Sequence, residues 1–276
     1  MDIPPKKIKS EQTEQLVKWE KDFLSNKSVI LYKYRGDIYR DILTLKNNQI
    51  YIPTLEQLND PNESCLSMYS VFKDLKLMQK NMIAIPKIYE QAGMELPETM
   101  EEQILDCIKD VDQVEKGLQV LYDNGYFSLC KRNNIECLWS YYGNSHKGFC
   151  IGYDVNELIK TLKYKCIFEV KYTLDRLAPK GEELSEMLKD PITFLRDVTA
   201  SKSKAWEKEE EVRIVSYDYG YIDIIPSAIR SIYIGAKCSD SDKKLIIRSL
   251  KDRKIDFYQM KFKHDSFTMV SELIET

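Results

Sequence analysis

Two carboxylates and a guanidinium stand at alternate positions in Trp206-Glu207-Lys208-Glu209-Glu210-Glu211-Val212-Arg213-Ile214-Val215. Side chains two apart on a strand share a face. A strand here aims Glu209, Glu211 and Arg213 to one side and Val212 and Ile214 to the other. An arginine beside a carboxylate keeps it ionised. The same spacing also fits a solvated strand edge carrying charge pairs.

Two further segments offer chemistry. In Leu138-Trp139-Ser140-Tyr141-Tyr142-Gly143-Asn144-Ser145-His146-Lys147-Gly148, aromatics precede a Gly/Asn/Ser turn. Rings beside such a turn either stack a flat ligand or form the corner of a core. His146, one of only two histidines, reads as a surface residue of that turn rather than an acid–base catalyst. In Leu31-Tyr32-Lys33-Tyr34-Arg35, alternation puts two cations on one strand face, which fits a phosphate site or the solvated face of an edge strand.

No phosphate loop, dinucleotide glycine motif, nucleophile elbow or His-Glu-x-x-His helix is present, which disfavours the enzyme classes built on them. With 41 Lys and Arg against 44 Asp and Glu, the net charge of −3 does not suggest a strongly basic nucleic-acid binder. The seven cysteines form no Cys-x-x-Cys pair and are read as buried, reduced thiols. No apolar run approaches the roughly 20 residues of a membrane span, and Met1–Lys7 lack a secretory signal's apolar stretch. The expectation is a reduced, soluble, cytoplasmic protein with no membrane association and no metal site.

Periodicity supplies the elements that must position these groups. Helices are predicted at about 11–24, 38–45, 154–162, 183–203 and 240–252, with a helical insertion at 65–122 broken near Pro86 and Pro97. The acid-rich stretch 95–115 in that insertion reads as a solvated helix face. Strands are predicted at Val29–Tyr34, Gln49–Ile52, Tyr126–Cys130, Gly148–Tyr153, Ile167–Tyr172, Val212–Tyr217, Tyr221–Ile225, Ser231–Ile234 and Ile255–Phe262. Unequal helical insertions between scattered strands indicate an α+β fold with a mixed, largely antiparallel sheet, split or continuous, and flanking helices. The simplest division is one domain over 1–276, with an N-terminal helical extension at 1–26 and the insertion at 65–122.

Taken in order, these segments resemble a bacterial family known as domain of unknown function 2971. The resemblance rests on Tyr32-Lys33-Tyr34, Asn59-Asp60-Pro61-x-Glu63, Phe127-Ser128, Trp139-Ser140-x-Tyr142, Lys147-Gly148-x-Cys150-Ile151-Gly152 and Lys202-x-x-x-Trp206-x-x-Glu209-x-Glu211-x-Arg213. Tyr141 departs from the pattern, since the family more often has histidine there.

More distantly, the order of elements is similar to ADP-ribosyltransferase-like proteins. That resemblance implies an NAD-consuming transferase or NAD glycohydrolase, such as a toxin or antiviral defence effector, with NAD as substrate and a protein or nucleic acid as acceptor. It implies Glu211 as the catalytic carboxylate, Ser128 as its orienter and Glu209 as activator of the accepting nucleophile. Lys33, Arg35 and Arg213 would hold the nucleotide, and Trp139 or Tyr142 would stack nicotinamide.

Two rivals remain open. A metal-dependent nuclease would gather Asp60, Glu63, Glu209 and Glu211 around Mg²⁺, aided by a basic stretch at 237–263. A non-catalytic module sensing a nucleotide or protein would use the charged strand as support only.

Overall fold

Asp37 opens the first helix after the cationic strand: its side chain accepts a hydrogen bond from the backbone N–H of Arg40, satisfying a donor that the helix leaves unpaired. Ile38, Ile42 and Leu45 then fall on one buried face. The computed structural model describes residues 11–26, 28–60, 68–106, 109, 121–175 and 191–275. Along these residues run α1 (Glu11–Ser25), β1 (Ile30–Arg35), α2 (Ile38–Lys46), β2 (Gln49–Ile52), α3 (Met68–Gln91), β3 (Gly125–Cys130), α4 (Glu136–Tyr141) and β4 (Phe149–Asp154). They continue with α5 (Val155–Leu158), β5 (Tyr164–Glu169), β6 (Lys171–Thr173), α6 (Pro191–Thr199), β7 (Ser201–Ser203) and β8 (Glu211–Ser216). The last are β9 (Gly220–Asp223), β10 (Ile229–Ile234), α7 (Asp240–Leu250), β11 (Asp256–Phe262) and β12 (Met269–Leu273).

The fold is mixed α+β. Its main sheet has the order β12-β11-β10-β4-β1-β3-β8-β5 and is antiparallel except for the β10–β11 pair. Two small pairs stand apart, β2 with β9 and β6 with β7. One core lies where the apolar faces of the central strands (Leu31, Phe127, Ile151, Val212, Ile214, Ile232) meet α2 and α7. A second, around Tyr126, Phe168 and Val215, receives Leu16 of α1 and Leu195 of α6. α1 is fastened as well by Glu20, which accepts from the Ile167 N–H at 2.9 Å and from Arg196 at 2.8 Å.

The sheet is loosely joined between β1 and β3. β1 pairs with β4 along its whole length, Ile30 to Arg35, but meets β3 only at Tyr32–Cys130. At the other end of β3, the N–H of Tyr126 donates to the Pro53 carbonyl and Thr54 bridges Gly125. β8 occupies the far side of β3 throughout. The segment after β2 therefore lies on the flank that a continuous sheet would give to β1, and the two strands part around it.

Several expectations need correction. β1 and β8 are interior strands, so neither the Lys33/Arg35 strand nor the Glu211 strand is a solvated edge; every residue of β8 is buried. The predicted strand at 167–172 breaks at Val170, whose N–H turns to the Glu211 carbonyl, and its last residues join β6. The predicted helix at 183–203 ends at Thr199, followed by β7, because Ser201–Ser203 pair in parallel with β6. Residues 183–190 of that prediction lie outside the described residues. Pro86 does not break α3; it sits in a largely exposed stretch, where water can satisfy the carbonyl it leaves unpaired. α4 and β12 had no prediction. Cys130, Cys150 and Cys166 are buried, but Cys137 and Cys238 are only partly so, and Cys65 and Cys107 lie outside the described residues. No described helix is long and apolar enough to cross a membrane.

Candidate functional site

Where β1 and β3 part, a cavity of about 220 Å³ opens, lined among others by Lys33, Arg35, Ser128, Tyr142, Glu209 and Glu211. Gln57, Leu58 and Asn59, from the segment that separates the strands, also line it. Register explains the meeting. Cys130 pairs with Glu211 and Ser128 with Arg213, so these four side chains share one sheet face. Tyr32 pairs with Cys130, which turns Lys33 and Arg35 toward the other face. They reach the same hollow because the strands are apart there.

Glu211 is the best-anchored acid. It is 2% exposed, and its Oε1 accepts from Arg213 Nε at 2.9 Å while Oε2 lies 3.2 Å from Lys202 Nζ. Burial alone would raise its pKa, but Arg213, Lys202 and the Ser128 hydroxyl outweigh that and hold it well below the usual carboxylate range. The backbone N–H of Glu211 donates to the Tyr172 hydroxyl at 2.9 Å. Parallel pairing of β6 with β7 sets Tyr172 opposite Lys202, so one local pairing steadies both the acid and its cation.

Glu209 is not on the strand. It ends a 3-10 turn over Lys204–Glu209, and Glu210 follows in the left-handed region (φ 46°). That reversal brings the Glu209 carboxylate back toward Lys202, 2.6 Å away, while Glu210 turns outward to Arg132. Glu209 also accepts from the Tyr142 hydroxyl at 2.7 Å, and that hydroxyl accepts from Asn59 Nδ2 at 2.8 Å. A continuous polar chain thus runs Asn59–Tyr142–Glu209–Lys202–Glu211–Arg213.

Lys33 reaches across the opening and donates to the Ser128 carbonyl at 2.7 Å. Burial depresses its amine to about 7, with Arg35 pushing the same way and Glu211, Glu209 and Asp41 opposing. The Arg35 guanidinium has no ion-pair partner among the described residues. Lys202 is taken up by the two glutamates, so the Arg35 charge is what the lining can offer an anion.

Other expected residues lie elsewhere. Arg213 is fully buried and does not line the cavity: it backs Glu211 and donates to the Thr199 carbonyl at 3.0 Å, which leaves it nothing to offer a ligand directly. Trp139 is also fully buried, its indole N–H bonded to the Asn133 carbonyl and its ring against Tyr34, so it cannot stack a ligand. His146 is not a surface residue. Asn144, Ser145 and His146 all have positive φ (49°, 53° and 68°), and this left-handed turn folds the imidazole onto Trp139 and Phe262. Gly148 is obligatory beside it, since a Cβ there would stand 2.0 Å from the Arg35 carbonyl oxygen.

Lys202 and Asn59 had no assigned role from sequence, although both fall in the motif segments. The available signal was the spacing Lys-x₆-Glu-x-Glu, which sets one cation opposite two acids once the chain turns between them. The Lys202 ammonium stands between Glu209 and Glu211, two of the four acids that the nuclease reading would gather around a metal. Glu63 lies outside the described residues.

Residues 138–214, just over a quarter of the chain, match the family described as protein of unknown function (DUF2971). The span includes Tyr142, Lys202, Glu209, Glu211 and Arg213 but not Lys33, Arg35, Asn59 or Ser128. No curated protein and no solved structure matches the chain. Over the stretch that carries the acidic half of the cleft, the chain is similar to that family.

Proposed function

We propose that the cleft binds NAD or a closely related nucleotide and that the protein is an NAD-consuming enzyme, an ADP-ribosyltransferase-like or NAD glycohydrolase-like protein with an ADP-ribosyltransferase-like fold. The observation that carries this reading is the convergence of Lys33 and Arg35 from β1, Ser128 from β3 and Glu211 from β8 on one opening in the sheet. The Arg35 guanidinium, with no ion-pair partner among the described residues, favours a phosphorylated ligand. A cavity of about 220 Å³ is below the roughly 300–1,000 Å³ that encloses a drug-sized ligand. It would take one end of the dinucleotide and leave the rest along the rim.

Cleavage of the nicotinamide–ribose bond develops positive charge on the sugar, as in glycoside hydrolysis. A carboxylate fixed in its ionised form, as Glu211 is, stabilises that charge without reorganising. Ser128 holds the carboxylate's orientation, Arg35 would take a phosphate, and the Tyr142 hydroxyl would face the sugar or the base. The test is release of nicotinamide from NAD by the purified protein, with and without cell extract to supply an acceptor. Glu211→Gln should abolish release while the fold persists. Undiminished release by that variant would reject Glu211 as the catalytic carboxylate, and no release under any condition would defeat the enzyme reading.

One observation favours a second reading, a nucleotide-sensing module: both oxygens of Glu211 are already engaged by protein cations. That reading predicts thermal stabilisation by NAD or ADP-ribose without turnover.

A further inference from the structure

The cleft contains many ionisable groups, and most are held by partners within it. Glu211 is engaged by Arg213 and Lys202, and Glu209 by Lys202 and Tyr142. The Lys202 ammonium is shared between both acids. Burial pushes the Cys130 thiol up to about 12 and the hydroxyls of Tyr32, Tyr34 and Tyr142 upward too. Arginine stays cationic. Lys33 differs from all of these: among the described residues its amine has one hydrogen-bond partner, the Ser128 carbonyl, and no carboxylate within ion-pair distance. The Phe127 ring lies 4.8 Å from its nitrogen, an apolar neighbour that does not compensate a full charge as a carboxylate would.

We propose that Lys33 is a catalytic residue of this site, its free amine accepting the proton of the water or hydroxyl that attacks the anomeric carbon. The proposal rests on the NAD-cleaving function above and replaces Glu209 as the activator of the nucleophile. The C–N bond to nicotinamide breaks with its electron pair leaving on nicotinamide. The nucleophile's oxygen forms the new bond to the sugar, and its proton passes to Lys33 Nζ and then to solvent. The groups that set the amine's charge come from every side: Arg35 on its own strand, Glu211 on β8, Glu209 on the 3-10 turn and Asp41 on α2. The last three favour the ammonium, while Arg35 and burial favour the free amine and prevail.

Two measurements test this. Lysine ¹³Cε resonances followed against pH, with Lys33 identified by its absence from Lys33→Arg, should show one amine titrating near 7 while exposed lysines titrate around 10.4. The pH profile of nicotinamide release should show a limb rising through the same pH in the wild type. Lys33→Arg, which keeps the charge but cannot accept a proton, should lose that limb and fall by about 10²-fold or more, yet retain the thermal shift produced by NAD. An amine that titrates with the other lysines, or a Lys33→Arg profile that keeps the limb, overturns the role of Lys33 alone. An amine titrating near 7 in a protein that releases no nicotinamide overturns the enzyme reading and the proton-transfer role with it.

Discussion

Replacing Lys202 by methionine tests the cleft's architecture without reference to any ligand. The change keeps the unbranched stem, one atom shorter, and deletes the cation that Glu209 and Glu211 share at 2.6 and 3.2 Å. All three side chains are at most 10% exposed, so water cannot take the ammonium's place cheaply. Removing one partner of a buried ion pair typically destabilises by about 3–5 kcal/mol. For a domain near this size that is a fall in Tm of about 6–20 °C.

The loss should also depend on pH in a defined direction. Without the cation, the two acids repel and one carboxyl takes up a proton, so its folded-state pKa rises above the unfolded value of about 4.3. A raised carboxyl pKa weakens the folded state as pH increases through it, and the deficit of the variant must therefore shrink on acidification from pH 7 to 5. Urea unfolding of wild type, Lys202→Met, Glu209→Gln and the double variant gives the coupling energy directly. The double variant should recover part of the loss. A Lys202→Met deficit below about 1 kcal/mol, the range of exposed pairs, or one independent of pH, would refute the buried network.

Four other outcomes follow from the same geometry. Arg35→Ala should remove the thermal stabilisation by NAD or ADP-ribose while leaving the unliganded protein within about 0.5 kcal/mol of wild type, because its guanidinium has no ion-pair partner among the described residues; scanning fluorimetry reads both. Gly148→Ala should lose most soluble folded protein, checked by expression and circular dichroism, since its Cβ meets the Arg35 carbonyl at 2.0 Å and strand backbone cannot yield that far. Ser145→Gly should stabilise by about 0.5–1 kcal/mol in chemical denaturation, relieving a left-handed residue that only glycine adopts freely. In the wild type, the stabilisation from Glu211 should be complete above the unfolded carboxylate pKa and vanish as pH falls through its depressed folded value, visible as a loss of Tm in strong acid.

Strand content was legible because the alternation is strong where one face is buried. Phe149–Asp154 and Glu211–Ser216 were located to within a residue. Residues that the motif segments singled out also meet in space: Lys33, Arg35, Ser128, Tyr142, Glu209 and Glu211 all line the cleft. What sequence did not give was which of their neighbours face inward. Trp139 and Arg213 belong to the same motifs, yet tertiary packing turns one into core and the other into a support behind Glu211. His146 was misplaced because three successive left-handed residues without glycine carry no propensity signal. Strand β7 was hidden by the helical pattern before it, since three residues are too short for a period to register. Lys202, at its centre, was therefore assigned no partner.

A groove made by parting strands inside a sheet has an advantage over one at its margin. An outermost strand presents its amides and carbonyls to any other chain and so invites association. β1 and β3 each keep a full neighbour on the opposite flank, β4 and β8, and only their facing flanks are slack. On the β3 side that flank is already engaged at Tyr126 by Pro53 and at Ser128 by Lys33, so a foreign strand meets an interrupted row of main-chain groups.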